Sequence, residues 1–152
     1  MSASTERALE TGASAAEPVR GDARWPCALA LAILLVLGGL AALGARAQVN
    51  PDGICYLQLA SYLRRGDVAA SISGYWSPLL VWSLTPALAL GVERLLAARL
   101  VLLLWTAVGV VAADRLARHL GLTPTARAAA LVAVALALGD LATWVISPDV
   151  VV

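Results

Sequence analysis

Two long apolar runs, residues 95–120 and 126–146, lie close together in the second half of the chain and constrain its fold more than any other feature. Each is long enough to cross a membrane as a helix, which takes about 20 residues. Gly121 is a natural end for the first helix, and Thr123 with Pro124 supplies a cap and a first-turn proline for the second. Because the connection is only about four residues long, the two helices are expected to be antiparallel neighbours.

The composition is that of a membrane protein. Hydrophobic residues make up 61% and charged residues 14% of the 152 residues, whereas about a quarter of the residues in a soluble domain are charged. The mean hydropathy is +0.82. With no lysine and a net charge of +1, the chain has no basic surface for nucleic acid. We therefore expect an all-α polytopic membrane protein whose partners include membrane lipids and no nucleic acid.

A third apolar run, at about 25–46, follows a polar segment. Residues 1–24 are rich in Ser, Ala, Glu and Arg without periodicity, and they predict a disordered tail. The run itself carries no charge before residue 46, which predicts a first span. A cleaved signal peptide is the alternative interpretation, because residues 45–47 resemble a small-x-small cleavage site.

Positive charges predict the orientation of the spans. Arginines precede the first span, and basic residues surround the turn between the second and third spans, so the positive-inside rule places both in the cytoplasm. These residues are Arg7, Arg20 and Arg24 before the first span and Arg115, Arg118, His119 and Arg127 around the turn. The sequence therefore predicts a multi-pass protein of the cell (inner) membrane with a cytoplasmic N-terminus.

A shorter apolar run, residues 78–91, is not expected to cross the membrane. About 14 apolar residues span roughly 21 Å as a helix, short of the ~30 Å hydrocarbon core, and Pro86 removes a backbone hydrogen bond in the middle. This run predicts a re-entrant or interfacial helix inside an outer loop at about 47–94. Three crossings follow, at about 25–46, 95–120 and 124–146. A four-crossing alternative would put Asp149 and Asp52 on opposite sides.

Residues 50–67 predict an amphipathic helix at the membrane surface. Asn50 can cap it, Pro51 can begin it, and Asp52 falls in the first turn, where the helix dipole favours a carboxylate. One stripe at helical spacing consists of Asp52, Tyr56, Leu59, Ala60 and Leu63. Arg64 and Arg65 end the helix and are expected to contact lipid phosphates.

The same segment carries a recognisable pattern. Its residues Asp52, Tyr56, Ala60, Leu63 and Gly66 resemble the first outer loop of the GT-C glycosyltransferases, polytopic enzymes that take sugars from polyprenyl-phosphate carriers. Three later segments are similar to the same family in the same order: "YWSPLL" at 75–80, "AARLVLLLWTAVGVVAADRLARHLG" at 97–121 and "TWVISPDVVV" at 143–152. The resemblance covers nearly everything from residue 25 onward. It departs from the family at Gly53, where many members have Glu, and at Ser77, where one proline of a pair is usual.

The resemblance implies a function and a set of site residues. The chain would be the truncated N-terminal part of an integral membrane glycosyltransferase that moves a sugar from a lipid-linked donor to an acceptor on the outer face, and the missing C-terminal portion would be a partner. Asp52 and Asp149 would be the catalytic acids. The substrate-binding candidates are Tyr56, Arg64, Arg65, Arg99 and Asp140. The alternative is a small multi-pass protein or transporter subunit without catalytic activity.

Two of these candidates keep alternative roles. Asp140 would lie inside the last span, where acids are costly and usually face a cavity, but it could also reach towards water or pair with Arg99. Arg99 could hold a lipid phosphate or serve the packing. Two isolated carboxylates do not make a metal site, because hard cations need about six oxygen ligands. We expect no cofactor in this chain, although a complete enzyme could use a divalent metal.

Overall fold

The computed structural model describes residues 23–44 and 50–144, and all of their regular structure is helical. The all-α prediction is therefore confirmed for this part of the chain. A π-helical turn, Leu34–Gly38, joins the first two helices. The helices are α1 Trp25–Ile33, α2 Gly39–Gly44, α3 Pro51–Arg64, α4 Val68–Ser71, α5 Pro78–Ala89, α6 Arg94–His119 and α7 Pro124–Trp144.

In the α6–α7 hairpin, α6 ends and α7 begins at the residues that local sequence signals predict. α6 stops at His119, and Gly121 adopts a φ of +72°, a left-handed conformation that glycine reaches without strain. α7 then starts at Pro124, with the Thr123 hydroxyl accepting a hydrogen bond from the Ala126 N–H at 3.4 Å. The predicted antiparallel hairpin is thus present.

α1 and α2 pack beside α7 and run parallel to it, with α6 antiparallel to both. At one end, Arg127 near the start of α7 bonds to the Ala23 carbonyl just before α1. Further along, Leu34 packs against Gly139. The start of α1, the end of α6 and the start of α7 therefore share one end of this three-helix unit, called here the Asp114 end. The start of α6 marks the opposite end, called the Glu93 end.

One helix in the described part of the chain, Arg94–His119, is long and apolar enough to cross a membrane. Two shorter apolar helices, Trp25–Ala41 and Pro78–Ala89, accompany it. The 26 residues of α6 extend about 39 Å, more than the ~30 Å hydrocarbon core. This helix is compatible with membrane insertion.

α3 and α5 form a second unit at the Glu93 end. The two helices run parallel, because the Ser77 N–H before α5 donates to Tyr56 Oη at 3.2 Å and Arg64 Nη1 donates to the Leu88 carbonyl at 3.1 Å. α5 turns back along the first half of α6, where Trp105 Nε1 donates to Ser83 Oγ at 3.2 Å. The 12 residues of α5 reach only about 18 Å, so it is a short helix packed beside a longer one.

The buried face of α3 differs from the predicted stripe. Asp52 is exposed and Leu59 and Leu63 are only partly buried, whereas Leu57 and Ser61 are buried beside the predicted Tyr56 and Ala60. Ser61 tolerates burial because its hydroxyl donates to the Leu57 carbonyl at 2.7 Å. The predicted stripe is therefore correct for Tyr56 and Ala60, which are buried, and for Leu59 and Leu63, which pack against the core. It is wrong for Asp52, which is exposed in the first turn.

Two adjacent glycines provide a matched test of the contact between the π-helical turn and α6. A Cβ on Gly38 would lie 2.6 Å from Leu103 Cδ2, whereas a Cβ on Gly39 would meet nothing within 4 Å. We expect Gly38→Ala to destabilise the fold by about 1 kcal/mol because Leu103 must move. Gly39→Ala should instead stabilise it by about 0.5–1 kcal/mol through helix propensity. Thermal unfolding in detergent micelles measures both, and equal stabilisation by the two variants would contradict the close approach.

Candidate functional site

A cation-lined cavity of about 380 Å³ lies between α3 and the start of α6 and is called here the α3–α6 cavity. A volume of this size is within the range of small-ligand sites. Its polar lining residues are Gln58, Ser61, Arg65, Glu93 and Arg94. A neighbouring cavity of about 350 Å³ shares Ser61, Glu93 and Arg94 and adds Arg64. Three arginines thus converge on one end of the helix unit.

The single acid of this cavity is already engaged by the backbone of α6. Glu93 precedes the helix and accepts hydrogen bonds from the N–H groups of Leu95, at 3.1 Å, and Leu96, at 2.9 Å. These bonds satisfy two of the four backbone donors that a helix start leaves without partners. Glu93 keeps its charge, but the lining sets two arginines, Arg65 and Arg94, against this one carboxylate. The cavity is therefore net positive and favours an anion.

The arginines differ in how far they are held in place. Arg64 Nη1 is fixed on the Leu88 carbonyl, and the Arg65 guanidinium lies over the Tyr62 ring at 4.9 Å from its centroid. Arg94 makes no side-chain hydrogen bond within residues 23–44 and 50–144. Guanidinium groups bind phosphate through paired N–H donors. Arg65 and Arg94, which line one cavity, are the strongest candidates for such a contact.

The Glu93 cap makes stability depend on pH. The hydrogen bonds from Leu96 and Leu95 hold the pKa of Glu93 below its ordinary value of 4.5. A carboxyl with a lowered folded-state pKa contributes stability that is complete above its unfolded pKa and is lost as pH falls through its folded pKa. We expect wild type to lose up to about 1 kcal/mol below roughly pH 4 through this exposed group. In the Glu93→Gln variant, the unfolding midpoint should therefore depend less on pH below about pH 4. If the variant and wild type lose stability equally in acid, the contribution of the Glu93 cap is contradicted.

The predicted site residues on α3 separate into two groups. Arg64 and Arg65 lie at the end of α3 beside the two cavities. Arg94, at the start of α6, lines the same cavities and was not predicted from the sequence. Asp52 lies exposed in the first turn, twelve residues before Arg64. At 1.5 Å per residue the two positions are about 18 Å apart along the helix. The structure therefore brings the arginines together and keeps Asp52 away from them.

Tyr56 lies in the core of the α3–α5 unit. Its side chain is 1% exposed, and its ring meets Trp76 edge-on, with 5.1 Å between ring centroids. Its hydroxyl accepts the hydrogen bond from Ser77. These contacts give Tyr56 a structural role and leave it little surface for the predicted contact with a substrate.

The remaining candidates lie elsewhere. Arg99 is 1% exposed, which favours a role in packing over contact with a lipid phosphate. Asp140 is exposed and lines a groove of about 210 Å³ between α7 and the α1–α2 segment. A pairing between Arg99 and Asp140 stays a prediction. Asp149 lies outside the described residues.

A buried ionic cluster occupies the Asp114 end. Asp114 pairs with Arg118 one turn later in α6, with Arg118 Nε 2.8 Å from Asp114 Oδ2. Arg127 joins them from α7, with Nη2 at 2.7 Å and Nε at 3.2 Å from Asp114 Oδ1. The Asp114 and Arg127 side chains are 4% and 5% exposed. The sequence analysis did not predict the contact between Arg127 and Asp114. The two residues are thirteen positions apart and face each other across the α6–α7 turn.

No group of three or more His, Cys, Asp or Glu side chains that could hold a metal ion occurs among residues 23–44 and 50–144. The acids of this part are spread over different elements, with Asp52 in α3, Asp114 in α6 and Asp140 in α7. No metal site is assigned.

Comparison with known proteins supplies no family for this chain. No protein-family model, curated protein or solved structure matches it. Function is therefore inferred from the charges and contacts of the residues described above.

Proposed function

We propose that the chain crosses the cell (inner) membrane three times, through the α1–α2 segment, α6 and α7. The parallel course of α1 and α7, with α6 antiparallel, supports this topology, because it gathers the start of α1 and the α6–α7 turn at one end. That end also carries Arg24, Arg115 and Arg118, as the positive-inside rule requires of a cytoplasmic face. The loop that contains α3 and α5 would then lie on the outer side, with α5 beside the outer half of α6.

We further propose that the chain is the N-terminal part of an integral membrane glycosyltransferase using a polyprenyl-phosphate sugar. The observation that carries this proposal is the α3–α6 cavity with Arg65 and Arg94 in its lining and Arg64 next to it. A lipid-phosphate donor places a negative charge at the membrane surface, and a cavity beside the end of a spanning helix is where that charge would lie. Arginines suit it because they bind phosphate oxygens in a bidentate way.

The transfer step assigns different tasks to the two ends of α3. The bond from the anomeric carbon of the sugar to the phosphate oxygen breaks, and the polyprenyl phosphate leaves with the electron pair. Arg65 and Arg94 stabilise that departing charge. The acceptor oxygen forms the new bond and gives its proton to a base, which must lie within hydrogen-bond reach of that oxygen. Asp149, the second catalytic candidate, is proposed for this task. Because Asp52 is about 18 Å from the arginine end, it is too far to take that proton and is instead a candidate for positioning a distant part of the acceptor. Asp140 stays a candidate for binding substrate.

A binding experiment tests the phosphate site directly. Purified protein in detergent micelles is titrated with a fluorescent polyprenyl phosphate and, in parallel, with the same polyprenol lacking phosphate. We expect the phosphate form to bind at least tenfold more tightly. Arg65→Gln and Arg94→Gln should each weaken it by about tenfold. Arg24→Gln, which removes the same charge at the other end, should not.

The outcome separates the two functional classes. Equal binding of the alcohol and the phosphate, or equal effects of the Arg94 and Arg24 variants, would contradict the donor site. The chain would then be better described as a small multi-pass membrane protein or transporter subunit without catalytic activity.

A further inference from the structure

An exposed stripe of α6 faces away from the helix unit. Leu100, Leu104 and Val108 are each at least half exposed, and Val111 is 36% exposed. Successive members are three or four residues apart, so they lie on one face of the helix, and exposed Arg115 continues the stripe at the same spacing. In a spanning helix, such a face contacts lipid chains, and the stripe therefore leads from the hydrocarbon region to a single positive charge.

A groove of about 410 Å³ lies beside the part of this stripe that is nearer the Asp114 end, where α6 passes Leu31 of α1. Its α6 wall consists of Ala107, Val108, Val111, Ala112 and Arg115. From residue 107 to residue 115 the groove follows about 12 Å of the helix axis. Its walls are apolar along this length, and Arg115 supplies the one charge, at the Asp114 end.

The charges at the Asp114 end leave Arg115 available. Among the described residues, this end carries Arg24, Arg115, Arg118 and Arg127 against Asp114. Arg118 and Arg127 are held by the Asp114 carboxylate. The Arg115 side chain makes no hydrogen bond or ion pair within residues 23–44 and 50–144. A positive group with no protein partner therefore stands at the mouth of an apolar groove.

We propose that this groove binds one anionic phospholipid, with an acyl chain along Ala107, Val108 and Ala112 and the phosphate at Arg115. Charge complementarity selects the occupant, because the end is net positive and a basic position beside a spanning helix attracts anionic headgroups. The apolar walls match a hydrocarbon chain, and the guanidinium matches a phosphate. The site requires α6 to lie in a membrane, but it is independent of sugar transfer, which is assigned to the opposite end.

Native mass spectrometry of the purified full chain tests the site, using micelles that contain phosphatidylglycerol and phosphatidylcholine in equal amounts. We expect one phosphatidylglycerol to be retained per chain, at least fivefold in preference to phosphatidylcholine. Arg115→Gln should weaken that retention about fivefold, whereas Arg115→Lys should keep most of it. Arg24→Gln removes a charge from the same end without altering the groove and should have a smaller effect.

A second pair of variants tests the acyl-chain part without changing the charge. Ala112→Trp places a large ring in the groove and should abolish lipid retention, while Ala129→Trp makes the same change on an exposed position of α7 and should not. Circular dichroism checks that both variants are folded. Equal retention of the two lipids, equal effects of the Arg115 and Arg24 variants, or lipid retained by Ala112→Trp would overturn the proposal. A change of oligomeric state caused only by Ala112→Trp would also overturn it, because the groove would then hold a second copy.

Discussion

Asp114→Ala is expected to destabilise the folded protein by about 3–5 kcal/mol. Asp114 accepts hydrogen bonds from Arg127 on α7 and from Arg118 on its own helix, and both Asp114 and Arg127 are almost completely buried. Removing the carboxylate leaves the Arg127 guanidinium buried without its counter-charge. Because Arg127 also bonds to the carbonyl of Ala23 just before α1, the loss would loosen the contacts among α1, α6 and α7 at this end. Thermal unfolding in detergent micelles measures the effect.

Two controls separate the buried charge from the volume of the side chain. The double variant Asp114→Leu with Arg127→Met replaces both charges by apolar groups and should recover most of the lost stability. Arg118→Gln should cost no more than about 1 kcal/mol, because the Arg118 side chain is 33% exposed. If Asp114→Ala and Arg118→Gln have equal effects, the buried cluster does not hold the helices together in the way described.

Tyr56→Ala is expected to cost about 3–5 kcal/mol. Tyr56 is among the largest fully buried side chains, its ring packs edge-on against Trp76, and its hydroxyl accepts the Ser77 N–H. The alanine variant loses the packing of the ring and the hydrogen bond together, and it leaves a cavity between α3 and the start of α5. The expected result is a large drop in the unfolding midpoint.

Tyr56→Phe is the matched control, because it keeps the ring and removes only the hydroxyl. Its cost should be about 1–2 kcal/mol, from the Ser77 N–H that is left without its acceptor. A substrate-binding role for Tyr56 predicts the opposite pattern. In that case Tyr56→Ala would leave the unfolding midpoint unchanged and weaken binding of the polyprenyl phosphate.

The long helices were predictable because their ends are encoded locally. The predicted span 95–120 corresponds to α6 at Arg94–His119, and the turn residue Gly121 ends it as expected. The predicted span 124–146 corresponds to α7, described as Pro124–Trp144. Caps, first-turn prolines and C-terminal glycines act within one turn of the helix, and a single sequence therefore contains their signal.

The parts that sequence reasoning missed depend on contacts between distant segments. The face of α3 was assigned from its own polarity, but burial is decided by α5, which packs against it. Arg127 bonds to Asp114 across a turn. The sequence around each residue does not show how its helix is rotated about its axis, so it does not predict that the two side chains face each other. The π-helical turn at Leu34–Gly38 has no proline or charge to mark it.

The candidate site was predictable only in part for the same reason. Arg64 and Arg65 stood out because they end an amphipathic helix, and both lie beside cavities at the Glu93 end. Arg94 did not stand out, because its position beside them follows from the packing of α3 near the start of α6. The long separation of Asp52 from these arginines, by contrast, follows from the length of α3 alone.

The topology is tested most directly by reporter fusions that signal on which side of the membrane they lie. Fusions after residues 70, 92 and 122 sample the α3–α4 region, the α5–α6 connection and the α6–α7 turn. Three crossings with a cytoplasmic N-terminus predict an outer signal after 70, an outer signal after 92 and a cytoplasmic signal after 122. Signals on opposite sides after 70 and 92 would show that α5 crosses the membrane and would contradict the account.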